Sequence, residues 1–305
     1  MTAAVSLSDQ CTTLMTDLTP WQVGQSHVLA GLHRQGRPEK HHLHFLHGNG
    51  FCGLTLAPMA AALPSDWSLT LTDVPGHGRS SQPNDQMPNW QGMAASIAAA
   101  LQENNHQRGM TQPMIGVGHS MGGVLTLLMA VQQPDLFSRI VLMDPVLFTP
   151  EIVLIQRMMR ATGFWRRTAL VKKVAARRAQ WPSRESMHLD LQRKSLYADW
   201  HPSALQAFVQ HGASEQADGV SLACSPSWEA SIFGSYPRGL WAAVDRVRIP
   251  VDIWVAEQSY PFIAKAARKA SQANPNIRWQ RFGQRHCFPM EQPEASAALL
   301  QSVLK

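Results

Sequence analysis

The sequence predicts an α/β protein with a mostly parallel sheet, helices on both faces and an inserted helical lid. Three observations carry that expectation. Short apolar strands alternate with helical stretches along residues 41–145 and 249–305. One apolar strand runs into Gly118-His119-Ser120-Met121-Gly122-Gly123 and then a helix. Between Leu147 and Arg248 no core strand is evident for about 100 residues, a length of insertion that is usually functional.

The strands come in order. His41 to His47 alternates and stops at Gly48-Asn49-Gly50. Trp67 to Asp73 is a second strand, followed by Val74-Pro75-Gly76-His77-Gly78-Arg79-Ser80. Met114 to Gly118, Arg139 to Asp144, Val251 to Ala256 and Ile277 to Phe282 complete the series. Met93–Gln102, Gly122–Gln133 and Ala264–Ala273 read as intervening helices. In the lid, Pro150–Thr162, Trp165–Gln180, Arg184–Ala198 and Pro202–His211 read as amphipathic helices with Pro or Gly at their ends. The expected organisation is a core of residues 1–146 and 249–305, with 147–248 as the lid.

Composition excludes several classes. The 305 residues are 45% apolar and only 16% charged, which argues for a packed core and against disorder. The net charge of +6 is concentrated: between Glu151 and Trp200 eleven Lys/Arg face four acids, giving +7, so the remainder sums to −1. One basic segment is not a nucleic-acid-binding domain, and no nucleic-acid partner is expected. The basic segment is either a solvated helix face or a rim that attracts anionic substrates or an anionic membrane surface. Cys11, Cys52, Cys224 and Cys287 show no zinc-ligand spacing and read as reduced thiols of a cytoplasmic protein. No signal peptide is evident, and the charge-poor stretch 109–134 is too interrupted by Gly, Pro, Gln and Ser for a membrane span. No Walker motif, dinucleotide fingerprint or metal cluster is present, so no cofactor is expected.

The chemistry centres on Ser120. A G-x-S-x-G turn between strand and helix places its serine on strained backbone above the sheet edge, and the glycines remove side chains that would collide there. The amide of Met121, at the start of the helix, is free to donate to an oxyanion. The loop after the first strand offers the amide of Asn49 as the second donor, with Gly50 and Phe51 behind it. A base must reach Ser120 from the same edge, and His286, after the last strand, is positioned to do so. His47, His77 and His119 share the edge but read as structural. The expected ligand is a small molecule with a carbonyl that Ser120 can attack.

These motifs together resemble those of α/β-hydrolase-fold serine hydrolases of the esterase and lipase type. The resemblance rests on His47-Gly48-Asn49-Gly50, Asp73 to Ser80, Gly118 to Gly123, and His286 with Pro289 to Glu294, in the family's order. It implies attack by Ser120 on a carboxylic ester, with an acyl-enzyme intermediate. Thioester, lactone and acyl-transfer chemistry at the same site, or a decayed ligand-binding homologue, are the alternatives. A serine nucleophile speaks against haloalkane dehalogenases and epoxide hydrolases. The acid departs from the family pattern: the stretch Ala256-Glu257-Gln258-Ser259 holds serine where an Asp is customary. Asp144, at the end of the strand after the nucleophile helix, is the first candidate and Glu257 the alternative.

Overall fold

The computed structural model describes residues 5–25, 27–83 and 88–305. Eight strands form the main sheet: β1 (Thr19–Val23), β2 (Leu29–Arg34), β3 (His42–Leu46), β4 (Ser68–Thr72), β5 (Met114–His119), β6 (Phe137–Met143), β10 (Val251–Val255) and β11 (Ile277–Arg281). Their spatial order is β1-β2-β4-β3-β5-β6-β10-β11. The β1–β2 and β2–β4 pairs are antiparallel, and every pairing from β4 to β11 is parallel. Strand order reverses at β3, and the helices that follow β3 and β5 pack into different cores. In open sheets of this kind ligands bind at such a point, beyond the carboxyl ends of the strands.

Both faces are buried, and β5, β6 and β10 are largely apolar. β3 and β4 instead alternate apolar residues with buried His, Ser and Thr, His42 and His44 hydrogen-bonding to Thr70 and Thr72. Side chains of β6 alternate between the two cores: Ile140 and Leu142 join one, Val141 and Met143 the other. The first core takes apolar residues of α3 (Trp90–Gln107), α4 (Met121–Gln132), α10 (Leu240–Arg246) and α11 (Pro261–Ala273). The second takes those of α1 (Leu7–Asp17), α2 (Ala57–Ala61), α8 (Pro202–His211) and α13 (Pro293–Val303). Proline in the first turn starts α8, α11 and α13, where its missing N–H costs nothing and its fixed φ suits the helix.

The chain between β6 and β10 is not purely helical, which corrects the sequence reading. It holds α5 (Pro150–Ala161), α6 (Ala169–Ala175), α7 (Arg184–Gln192), α8, α9 (Pro226–Phe233) and α10, but also β7 (Gln180–Trp181), β8 (Ala213–Gln216) and β9 (Gly219–Leu222). These three strands make a small antiparallel sheet ordered β7-β9-β8. The expected helix at 165–180 is therefore shorter: a 3-10 turn at Phe164–Arg167, then α6, then strand. The β8–β9 hairpin turns at Ala217-Asp218, with Gly219 at φ 129°. That Asp-Gly pair is a hairpin signal that the helical reading passed over. The short helix α12 (Phe288–Glu291) precedes α13. Among the described residues no helix is long and apolar enough to cross a membrane.

Candidate active site

Four neighbouring strands deliver the site. β5 pairs with β6 up to His119↔Met143, so the next residues, Ser120 and Asp144, emerge side by side. β10 lies on the far side of β6 and leads into Ser259, and β11 leads into the loop that holds His286. Ser120 sits at φ 56°, ψ −118°, and Asp144 at φ 43°. These are the two non-glycine residues with positive φ among those described. Backbone strain of this kind costs of order 1–3 kcal/mol per residue and persists only where the surroundings impose it.

The surroundings do impose it. Ser120 N–H donates to Met143 O at 3.0 Å and Asp144 N–H to Trp254 O at 2.7 Å, pinning both turns to neighbouring strands. A Cβ at Gly122 would lie 2.3 Å from Leu46 O and 2.5 Å from His47 O. One at Gly118 would lie 2.5 Å from Gly122 O. The glycines around Ser120 are thus required by the approach of β3 and α4.

Ser120, His286 and Asp144 are brought together. Ser120 Oγ lies 2.9 Å from His286 Nε2, and His286 Nδ1 lies 2.6 Å from Asp144 Oδ2. In the tautomer these contacts favour, the serine hydroxyl donates to Nε2 and the Nδ1–H donates to the carboxylate. The Asp144 carboxylate is fully buried and accepts two further hydrogen bonds, from Ala256 N–H at 2.9 Å and the Ser259 hydroxyl at 2.5 Å. Three donors therefore replace the water it has lost. Glu257 is not brought to His286; its side chain is exposed and its amide donates to Gly283 O at 2.9 Å. The ring of Tyr260, more than half exposed, stands edge-on to that of His286 at 5.5 Å between centroids.

The loop after β3 lies against Ser120. A Cβ on Gly48 would come within 3.1 Å of Ser120 Cβ. Two of its amides are occupied: Gly50 N–H donates to His77 Nε2 at 2.9 Å and Phe51 N–H to Gly48 O at 3.3 Å. The Asn49 and Met121 amides carry no such bond among the described residues. The Asn49 side chain is tied instead, donating to Glu229 O on α9 at 3.1 Å. Sequence reasoning missed this link. It also missed the ion pair behind it, Arg177 Nη1 to Glu229 Oε2 at 2.6 Å. Burial pushes the Glu229 carboxyl up and the guanidinium draws it back.

The remaining histidines of this edge serve the frame. His47 Nε2 accepts from Val74 N–H at 3.0 Å, and His119 Nε2–H donates to the His286 carbonyl at 2.9 Å. Burial lowers His47 to about 4 and both His77 and His119 to about 3, so all three are neutral at pH 7. Asp73 is likewise structural: its carboxylate accepts from Gly53 N–H at 2.7 Å and Arg79 N–H at 3.0 Å. All four cysteines are free thiols, and burial raises Cys52 and Cys287. Among the described residues no group of three or more His, Cys, Asp or Glu is arranged to hold a metal ion.

Residues 41–293 match the family model of the α/β hydrolase fold. The chain belongs to the α/β-hydrolase family. Members of solved structure share the fold along nearly the whole chain. E-2-(acetamidomethylene)succinate hydrolase superposes with a TM-score of 0.75 at 21% identity, covering 94% of this chain and 99% of that one. An esterase of M. tuberculosis gives 0.69 at 19% identity, over 98% and 97%. The thioesterase domain from the curacin biosynthetic pathway gives 0.69 at 17%, over 93% and 99%. The Alternaria alternata abhydrolase domain-containing protein ACTT2 is 32% identical over 117 residues, 38% of this chain and 40% of that protein. The match thus spans less than half the length of that curated relative.

Proposed function

We propose that this α/β hydrolase is a serine esterase that cleaves a carboxylic ester through an acyl-enzyme. The observation that carries the reading is the unbroken relay Ser120 Oγ–His286 Nε2 and His286 Nδ1–Asp144 Oδ2, at 2.9 and 2.6 Å. Both spacings are within reach for proton transfer without rearrangement.

Ser120 Oγ attacks the ester carbonyl carbon while its proton passes to His286 Nε2. Asp144 holds the ring in the tautomer that can accept that proton and stabilises the imidazolium that results. The carbonyl oxygen becomes an oxyanion, and the amides of Asn49 and Met121 receive it; each such donor is worth roughly 2.7–4 kcal/mol to the transition state. The tetrahedral adduct expels the alkoxide, which takes the proton from Nε2 and leaves as the alcohol. Water then gives a proton to Nε2 and attacks the acyl-enzyme. Its collapse returns the proton to Ser120 and releases the acid. Ser259 answers the departure from the family pattern: it supplies a hydrogen bond to Asp144 where a carboxylate would otherwise stand.

The test is labelling by a fluorophosphonate together with hydrolysis of p-nitrophenyl esters of graded acyl length. Wild type labels and turns over, whereas Ser120→Ala does neither and keeps its circular dichroism. Absence of labelling in folded wild type means a decayed site and rejects the proposal. Turnover confined to thioesters in a matched panel rejects the ester in favour of a thioester with the same nucleophile.

A further inference from the structure

The segment between β6 and β7 has an inner face and an outer face of different character. Inside, Trp165 and Val171 pack with Ala230 of α9, and Met159 and Val174 lean on them. Val153 of α5 packs against the first core as well, so the inner sides of α5 and α6 are engaged. Outside, α5 buries no residue at all. Leu154, Ile155 and Met158, spaced one and four residues apart on one helical face, are 57%, 55% and 62% exposed. Phe164 in the connecting turn and Leu170 on α6 are exposed to a similar degree. Five of the eleven exposed large apolar side chains among the described residues therefore fall within 17 consecutive positions. Scattered exposed apolar residues need no explanation; a cluster of this kind marks a contact surface.

The same stretch is cationic without interruption. Between Glu151 and Glu185 there are nine Lys and Arg and no acid. Arg157, Arg167, Lys172 and Lys173 are exposed, and none of the four is in an ion pair among the described residues. Glu151, which opens α5, is itself engaged by Lys269 at 3.3 Å.

We infer that the outer face of α5, the following turn and α6 is a docking surface for an anionic lipid bilayer. A bilayer meets both chemistries at once. Headgroup phosphates pair with the lysines and arginines, and the apolar side chains enter the boundary with the acyl chains. A nucleic acid would satisfy the cations but leave five large apolar side chains in water. The inference does not depend on the chemistry at Ser120 and describes peripheral binding rather than insertion.

The test is co-sedimentation of the full chain with vesicles of phosphatidylcholine alone, and of phosphatidylcholine with about a third phosphatidylglycerol. Wild type is expected to bind the anionic vesicles at least about tenfold more tightly, and to lose that binding as salt rises. The double variant Leu154→Glu/Met158→Glu and the double variant Lys172→Glu/Lys173→Glu should each lower binding by about tenfold or more, with unchanged circular dichroism. All four positions are exposed, so the fold does not depend on them. Equal binding to both vesicle types, or no binding by wild type, overturns the inference. So does binding that survives Leu154→Glu/Met158→Glu, because the attraction is then charge alone and an acidic macromolecule would serve as well.

Discussion

The Ser259 hydroxyl donates to Asp144 Oδ2 at 2.5 Å, the same oxygen that accepts from His286 Nδ1 at 2.6 Å. The residue that stands where the family usually keeps its acid thus holds Asp144, which follows the neighbouring strand. A hydrogen bond to a charged group is worth roughly 1.5–3 kcal/mol. Ser259→Ala should accordingly lower kcat by about 10–100-fold with little change in KM, and Ser259→Thr, which keeps the hydroxyl, should recover most of it. Steady-state kinetics on a p-nitrophenyl ester decide; an unchanged kcat in the alanine variant would show that Ala256 and His286 suffice to hold Asp144.

The two candidate acids separate cleanly by mutation. Asp144→Asn removes the buried charge opposite His286 and should reduce kcat by about 10³–10⁴-fold. Glu257→Gln alters an exposed side chain that makes no hydrogen bond to the imidazole among the described residues and should leave kcat within about twofold. The opposite ranking would move the acid to Glu257.

Gly122 is demanded by space. The methyl group of Gly122→Ala would meet two β3-end carbonyl oxygens that cannot both retreat without moving the strand. A loss of about 2–4 kcal/mol is expected, read as a lower urea midpoint at unchanged slope, together with weaker fluorophosphonate labelling as Ser120 is displaced.

Acid should destabilise this protein from an unusually high pH. Burial lowers His33 and His47 to about 4, and His42, His44, His77 and His119 to about 3. In the unfolded chain these groups titrate near 6.5, so below that pH the unfolded state binds more protons than the folded one. The stability they contribute is complete above about pH 6.5 and falls as pH drops through about 4 and then about 3. Asp73 and Glu229, raised by burial, act in the opposite sense at the acidic end. Urea midpoints at pH 7.5, 6 and 5 should fall steeply, with several protons taken up on unfolding; a flat profile would mean the histidines are solvated.

The parts of this fold that were legible in the sequence are those with a local cause. β5, the turn at Ser120 and α4 follow from an apolar run meeting glycines at fixed spacing. The loop after β3 and the position of His286 follow from strand ends on one edge. What was not legible depends on contacts far apart in the chain. Ser259 looked like a deficit because a hydroxyl cannot carry charge, and only the adjacency of β6 and β10 shows what it does. The antiparallel edge β1–β2 and helix α1 lie in a polar N-terminal region whose burial pattern is set by the sheet they join. Asn49 was read for its amide, whereas its side chain answers to Glu229, 180 residues later.

The placement of Asp144 directly after β6 also sets the order in which the candidate site comes together. Ser120 and Asp144 leave the ribosome within 25 residues of one another, carried by strands that pair directly. His286 follows only after the whole segment between β6 and β10 has been made, along with two further strands. A nascent chain that stops before residue 286 has Ser120 and Asp144 but lacks the imidazole that bridges them. His286 therefore joins Ser120 and Asp144 last, after the whole segment between β6 and β10 has been made.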